Sequence, residues 1–256
     1  MRAVIHFHPH LNHQRAYATA MRAGLERHGV NVAFGGYDTP TVRQHDFLVV
    51  WGAPAKQPRV AQTTRPLLIM ERSHLPDRMV YTSCGWDGLA RRGRYPKADD
   101  GGARWRAHWG GLLQPWRDGG GYALLIGQAH GDAALHGLDV DRWIAEQTAA
   151  LRALGWTVRF RPHPLVARPE RSLEEDLAEA VICVTYNSTT GVEAVLAGVP
   201  TIAMDEGAMA WDVSGHALDE IVRPEREAWA HDLAYTSWTP EEISSGEVWA
   251  HLKGVM

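Results

Sequence analysis

The stretch VICVTYNSTTGVEAVLAGVPTIAMDEG, residues 181–207, decides the fold. Val181, Ile182, Cys183, Val184 and Thr185 form an apolar, β-branched run of the kind expected for a strand buried on both faces. Residues 186–190 then supply hydroxyls and an amide. From Gly191 onward, Val192, Val195 and Leu196 recur at helical spacing until Gly198 stops the helix. Residues 200–203 predict the next strand. The unit is therefore strand, polar loop, helix, strand, with the loop at the N-terminus of the helix. Backbone N–H groups and the positive end of the helix dipole converge there, so an anion, most often a phosphate, is the natural ligand. Ser188, Thr189 and Thr190 add hydroxyl donors. A plainer reading has Asn187 or Ser188 merely capping the helix. A second polar loop at 205–207, an upstream RPHP at 161–164 and an upstream IGQ at 126–128 shift the balance toward a ligand.

Upstream of this stretch, residues 122–126 predict a strand, followed by a loop over 127–137. Val140, Trp143, Ile144, Gln147, Leu151 and Leu154 then form one stripe of an amphipathic helix that Gly155 closes. A strand at 156–160, the RPHP turn and a helix over 173–180 lead into the opening stretch. The N-terminal half repeats this alternation more loosely. Strands are predicted at 3–7, 30–34, 47–51, 66–70 and 79–83, with a helix capped by Asn12 and ended by Gly29. Strands alternating with crossovers imply parallel sheets with helices on their faces. Residues 85–121 mix glycines, arginines and aromatics without apolar periodicity and read as an extended loop region and a linker. The domain boundary is accordingly placed at 118/119, giving domains 1–118 and 119–256. Two further tryptophan-bearing helices are predicted at 225–235 and after Thr239-Pro240.

The 256 residues, 45% hydrophobic and 22% charged, suit a globular α/β protein with two small cores. No apolar run approaches the roughly 18 residues of a membrane span, and MRAVIHFHPH lacks the apolar core of a signal peptide, so a cytoplasmic protein is expected. Two cysteines form no disulfide framework and no metal cluster. The net charge of −4 hides an asymmetry: residues 1–120 carry 17 basic against 9 acidic side chains, and residues 121–256 carry 9 against 21. Such a split points to bodies with different partners, the basic one facing something acidic.

In a doubly wound sheet, ligands sit beyond the carboxyl ends of the strands. Four polar loops fall at such ends in the C-terminal half: Gly127 with Gln128; Arg161 to Pro164 with His163; the loop of Asn187, Ser188, Thr189 and Thr190; and Asp205 with Glu206. Glycine at 127 lets backbone approach a ligand, and Arg161 and His163 are phosphate donors.

The order of these motifs, RPHP followed by T-x-N-S-T-T-G-x-E-A-x-L-A-G-x-P and a G-A loop, resembles the C-terminal nucleotide-sugar domain of glycosyltransferases with the two-domain B fold. It is similar in particular to capsule-type sugar transferases and to small phage-encoded, DNA-modifying relatives, over residues 122–216. The resemblance implies two Rossmann-like domains, with the last helices crossing back to the first. It implies a hexosyltransferase using a nucleotide-sugar donor, with UDP assumed, and with His163, Pro164, Ser188, Thr189 and Thr190 holding the nucleotide and its phosphates. Glu193, one turn into the helix, is placed to reach the ribose, or it is simply a solvated side chain. Helix dipole and hydroxyls can meet the leaving charge, so no metal and no tightly bound cofactor is expected.

An acceptor hydroxyl needs a general base. Glu71, after the strand at 66–70, is the candidate, with Asp87 and His10 behind it; an ion pair of Glu71 with Arg72 or Arg78 is the ordinary alternative. Between Arg59 and Arg117 an arginine-rich run includes Arg72, Arg78, Arg91, Arg92, Arg94, Arg104 and Arg106, interleaved with Trp86 and other aromatics. Arginine forks bind phosphate and aromatics stack bases, so the run predicts a polyanionic acceptor, or else a solvated basic surface. With the phage resemblance, the named acceptor is a hydroxymethylated pyrimidine in phage DNA, chiefly 5-hydroxymethylcytosine, flipped out of the duplex. That places the enzyme in the host cytoplasm. Capsule or lipopolysaccharide assembly is the alternative within the transferases. A metal-dependent hydrolase built on His6, His8, His10 and His13 is the alternative outside them.

Overall fold

In the computed structural model, which describes residues 1–36, 44–52 and 64–256, the chain forms two units: Met1–Asp99 with Asp232–Met256, and Asp100–His231. Arg59 lies outside the described residues. The chain opens with β1 (Arg2–His6), α1 (Asn12–Arg27), β2 (Asn31–Gly35), β3 (Phe47–Trp51), β4 (Leu67–Arg72) and β5 (Thr82–Trp86). The second unit holds α2 (Ala103–His108), β6 (Tyr122–Ile126), α3 (Val140–Ala153), β7 (Val158–Arg161), α4 (Leu173–Glu179), β8 (Ala180–Thr185), α5 (Thr190–Leu196) and β9 (Thr201–Ala203). Helix α6 (Glu227–Ala234) then leads to β10 (Ser237–Trp238), α7 (Pro240–Ser245) and α8 (Glu247–Leu252) in the first unit.

The sheet of the first unit runs β10-β5-β4-β3-β1-β2. Strands β1 to β4 pair in parallel, and β1, β3 and β4 are the buried runs expected of strands covered on both faces, while β2 lies at the edge. The C-terminal helices return here as expected. Ile243, Val248, Trp249 and Leu252 join Ile5, Met21, Leu25 and Phe47 in one core, and the Trp249 ring stacks on Phe47 at 5.0 Å. Gly24 permits the close crossing of α1 and α7, because a Cβ there would lie 2.0 Å from the Ile243 carbonyl oxygen. Asn12 is not the cap of α1: the helix already includes it, and its Oδ1 accepts from Arg15 Nη2 instead.

Strand β5 corrects the expected order. It lies at 82–86 rather than 79–83, and it is antiparallel to β4. The nine residues between β4 and β5 are too few for a crossover helix, so the chain turns back on itself. Gly85 disguised the strand as a turn. A Cβ there would meet the Tyr95 ring at 2.4 Å, so the glycine serves ring packing against a strand.

The sheet of the second unit is all parallel, ordered β7-β6-β8-β9. Strand order therefore reverses between β6 and β8. Helix α3 lays Val140, Trp143 and Leu151 inward, and α4 starts on a capping box in which Ser172 and Glu175 satisfy each other's backbone N–H groups.

The unit boundary falls at Asp99, ahead of α2, and not at 118/119. Residues 112–118 are pinned to the end of α5: Gln114 N–H donates to the Leu196 carbonyl and Arg117 N–H to that of Gly198, both at 2.8 Å. Trp116 Nε1 donates to the Pro224 carbonyl at 3.0 Å, and the Arg226 guanidinium lies 3.8 Å from the Trp116 ring centre. Counted by these units the charge split softens, to 15 basic against 11 acidic residues in the first and 11 against 19 in the second. Among the described residues no helix is long and apolar enough to cross a membrane.

Candidate functional site

The four loops expected to carry the ligand all leave the C-terminal edge of the second sheet, because all four strands are parallel. The loops after β6 and β8 flank the switch point, where an open sheet leaves a crevice. Gln128 and Asn187 join across it. Gln128 Nε2 donates to Asn187 Oδ1 at 2.7 Å, and the Asn187 backbone N–H donates to Gln128 Oε1 at 3.1 Å. Asn187 Nδ2 donates to Asp205 Oδ2 at 2.7 Å and to the Ala134 carbonyl at 2.8 Å. One asparagine thus ties together the loops after β6, β8 and β9. Gln128 and Asp205 are each 8% exposed, so their polar atoms are committed to this network.

With Asn187 held, the loop turns sharply into α5. Ser188 N–H donates to Thr185 Oγ1 at 2.9 Å and Thr190 N–H to Ser188 Oγ at 3.2 Å, while the Thr189 side chain makes no capping bond. Gly191 sits on Thr185 and Ala210, where a Cβ would meet Thr185 Cγ2 at 3.1 Å. Ser188, Thr189, Thr190 and Glu193 are half-buried, and Glu206 is exposed.

After β7, His163 is half-buried and Pro164 exposed. The Leu165 N–H donates to His163 Nδ1 at 3.1 Å. A ring nitrogen that accepts carries no proton, so in the neutral ring the proton is on Nε2, which becomes a donor.

Two expected ligand residues have structural partners. Arg161 Nη1 donates to Asp176 Oδ2 at 2.5 Å and to the Arg171 carbonyl at 2.8 Å, while Arg159 Nε donates to Asp176 Oδ1 at 2.7 Å. Positions 159 and 161 share one face of β7, and the carboxylate between them is 2% exposed. Gly127 makes room for the neighbouring strand: a Cβ there would lie 3.0 Å from the Phe160 ring.

In the first unit, Glu71 lies one residue before the end of β4 and His10 lies exposed in the loop after β1, both at the C-terminal edge of that sheet. Glu71 Oε1 accepts from the Ala90 N–H at 3.1 Å and stands 3.5 Å from His74 Nε2. His74, which sequence reasoning did not single out, is 4% exposed; the i, i+3 spacing from Glu71 was its only signal. Asp87 belongs to the opposite edge. Because β5 runs antiparallel, Asp87 lies beside the start of β4, where its Oδ1 accepts from Leu67 N–H at 2.8 Å and its Oδ2 from Arg94.

Two of the histidines at and after the end of β1 have structural surroundings. His6 is buried, with Nδ1 3.1 Å from the Gly36 carbonyl, and burial lowers its pKa. His13 packs edge-on against Trp51. Among the described residues no group of three or more His, Cys, Asp or Glu side chains is placed to hold a metal ion.

Several members of the basic run have partners inside their own unit. Trp86 is fully buried, donating from Nε1 to the Leu252 carbonyl at 2.9 Å, and so cannot stack a base. Arg72 donates to the Arg78 carbonyl, Arg94 to that of Val255 and Arg106 to that of Gly101. Arg104 is buried, with its guanidinium 5.9 Å from the centre of the Trp109 ring. Arg91 and Arg92 are exposed on a short helical turn. The unit boundary assigns Arg104 and Arg106 to the second unit and the others to the first.

Two solved structures share this fold over most of the chain. One is Thermosulfurimonas dismutans KpsC, beta Kdo 2,7 transferase, with 14% identity and a TM-score of 0.56 over 98% of this chain and 99% of that one. The other is Thermosulfurimonas dismutans KpsC, beta Kdo 2,4 transferase, with 15% identity and a TM-score of 0.55 over 90% and 89%. No protein-family model and no curated protein matches the chain. The architecture is the expected one, two α/β units built on parallel sheets in the manner of the glycosyltransferase B fold.

Proposed function

We propose that this chain is a glycosyltransferase that holds a nucleotide-activated sugar at the C-terminal edge of the β7-β6-β8-β9 sheet and passes the sugar to a hydroxyl. The observation that carries the reading is the three-loop tie through Asn187 at the switch point. It fixes the Ser188–Thr190 turn, and the turn after β7 adds the Nε2–H of His163 at the same edge. The hydroxyls of the turn and an imidazole donor together suit a diphosphate. Likeness in fold to two sugar transferases supports the same reading.

In the reaction, the acceptor oxygen forms a bond to the anomeric carbon as the bond from that carbon to the diphosphate breaks. The electron pair leaves with the nucleotide. Ser188, Thr189, Thr190 and His163 meet the charge that develops on it, an electrostatic contribution fixed before reaction begins. The acceptor proton passes to a base, for which Glu71 is the candidate and His10 the second. Arg161 has no part in this scheme, since Asp176 holds it.

For the acceptor, a saccharide hydroxyl of the capsule type is favoured by the fold likeness to the two Kdo transferases. A hydroxymethylpyrimidine in phage DNA draws on the resemblance to phage-encoded relatives over residues 122–216 and on the exposed Arg91 and Arg92, without Trp86, which is buried. Incubation with a panel of nucleotide sugars, UDP-sugars first, separates the two. One arm offers hydroxymethylcytosine DNA followed by nucleoside mass analysis, the other an oligosaccharide followed by glycan mass analysis. A hexose added to either identifies the acceptor. No transfer in either arm and no release of nucleotide from any donor overturns the reading.

A further inference from the structure

Beyond β9 the chain carries a rigid pair of aromatic rings that the scheme above does not use. Trp211 and His216 stack with centroids 3.5 Å apart and planes 7° from parallel. Trp211 is partly buried and His216 exposed, so the imidazole presents its outer face to solvent with the indole behind it.

The pair is locked from several sides. His216 Nε2 lies 3.1 Å from the Trp211 carbonyl, to which it donates, and the His216 N–H donates to Glu220 Oε2 at 2.8 Å. Ser214 Oγ donates to the same Trp211 carbonyl at 3.1 Å. Gly215 is stitched to the edge strand: its N–H donates to the Thr201 carbonyl and its carbonyl accepts from Ala203 N–H, both at 2.9 Å. A Cβ at position 215 would lie 1.9 Å from the Glu220 carbonyl oxygen, so only glycine lets the turn close this tightly. An exposed ring held this firmly has already lost its rotamer freedom on folding, which lowers the entropy cost of any ligand that stacks on it.

The position fits a nucleotide. Gly215 pairs in parallel with Ile202, one residue before the end of β9, so His216 emerges at the C-terminal edge of the sheet. It stands two strand spacings out from β8, about 10 Å from the strand that feeds the Ser188–Thr190 turn. The loop between them is braced on both sides. Ala210 packs at Gly191, where a Cβ would be 3.5 Å from Ala210 Cβ, and the Met209 carbonyl accepts from Trp229 Nε1 at 2.9 Å.

We propose that the Trp211–His216 stack is the platform on which the planar base of a nucleoside diphosphate rests while the Ser188–Thr190 turn holds its phosphates; this rests on the phosphate assignment above and extends it to the base. A ring face reads planarity and not the hydrogen-bonding edge of the base, and His216 Nε2 is spent on Trp211. The platform therefore accepts pyrimidine and purine alike.

Calorimetric titration of the full chain with UDP, CDP, GDP and inorganic pyrophosphate tests this. In the wild type each nucleoside diphosphate should bind more tightly than pyrophosphate. His216→Ala should weaken all three nucleotides by about ten-fold while leaving pyrophosphate nearly unchanged, and His216→Phe, which keeps a flat ring, should restore most of the loss. Nucleotides that bind no better than pyrophosphate, or a His216→Ala variant that weakens neither ligand or weakens both equally, overturn the platform while sparing the phosphate turn. A wild type that binds neither pyrophosphate nor nucleotide brings down the phosphate turn and the platform with it.

Discussion

Gln128 and Asn187 grip each other by two hydrogen bonds across the point where strand order reverses, side chain to side chain at 2.7 Å and backbone to side chain at 3.1 Å. Both had been expected to touch the donor. Their polar atoms are instead largely occupied by each other, Asp205 and Ala134, so their effect on a ligand runs through the shape of the loop they hold.

Asn187→Ala should therefore cost stability as well as affinity. It removes one donor to the buried Asp205 carboxylate and one to the Ala134 carbonyl, a loss of about 1–3 kcal/mol. A urea midpoint unchanged from wild type, with donor affinity lost, would instead make Asn187 a direct ligand contact.

Asp176→Asn should destabilise the second unit without touching nucleotide binding beyond the folded fraction. It leaves Arg159 and Arg161 facing a neutral side chain where a 2% exposed carboxylate stood, a loss on the order of 3 kcal/mol. Arg161→Ala tests the complementary point: reduced melting temperature with nucleotide affinity retained is expected, and selective loss of affinity at full stability would return Arg161 to the phosphate site.

Trp86→Ala should behave as a core lesion. Removing a fully buried indole, its Nε1–H bond to Leu252 and its contacts with Phe47 and Trp249 costs about 3–5 kcal/mol. Chemical denaturation measures it. A stable variant with an impaired acceptor reaction would contradict the burial of Trp86 as its role.

Stability should also fall at alkaline pH. Burial, with the charge of Glu193 adding to it, pushes the Cys183 thiol up to about 12, and burial raises the Cys84 thiol as well. A group whose folded pKa lies above its unfolded value contributes stability that is complete below the unfolded value, about 9, and is lost as pH rises toward the folded one. Denaturation midpoints taken between pH 8 and 11 should decline, and Cys183→Ala should flatten that decline. An unaltered slope in the variant would assign the alkaline loss elsewhere.

Much of the fold could be read in the residues because apolar runs such as 122–126 and 181–185 are continuous and cleanly bounded. The motif order from RPHP to the G-A loop carried the architecture as well, down to the return of the last helices into the first unit. Strand β5 escaped because TSCGW has no β-branched run after its threonine and carries Gly85, whose reason for being there, the Tyr95 ring, lies ten residues away. The boundary was misplaced for a related cause. The glycine- and tryptophan-rich segment that looked like a linker is anchored by partners in α5 and beyond Pro224, and no local pattern announces them. At the site, residue types suggest a phosphate, but sequence does not show which polar atoms are already taken. Arg161 and Asp87 each had a buried or backbone partner that only the folded chain reveals.

The most direct test is calorimetric binding of a UDP-sugar to the wild type and to the Ser188→Ala/Thr189→Ala variant at matched folded fractions. Saturable binding to the wild type, weakened at least about ten-fold in the variant, is the result this reading requires. Equal affinity in both proteins would contradict it, because the turn entering α5 would then have no hold on the donor's phosphates.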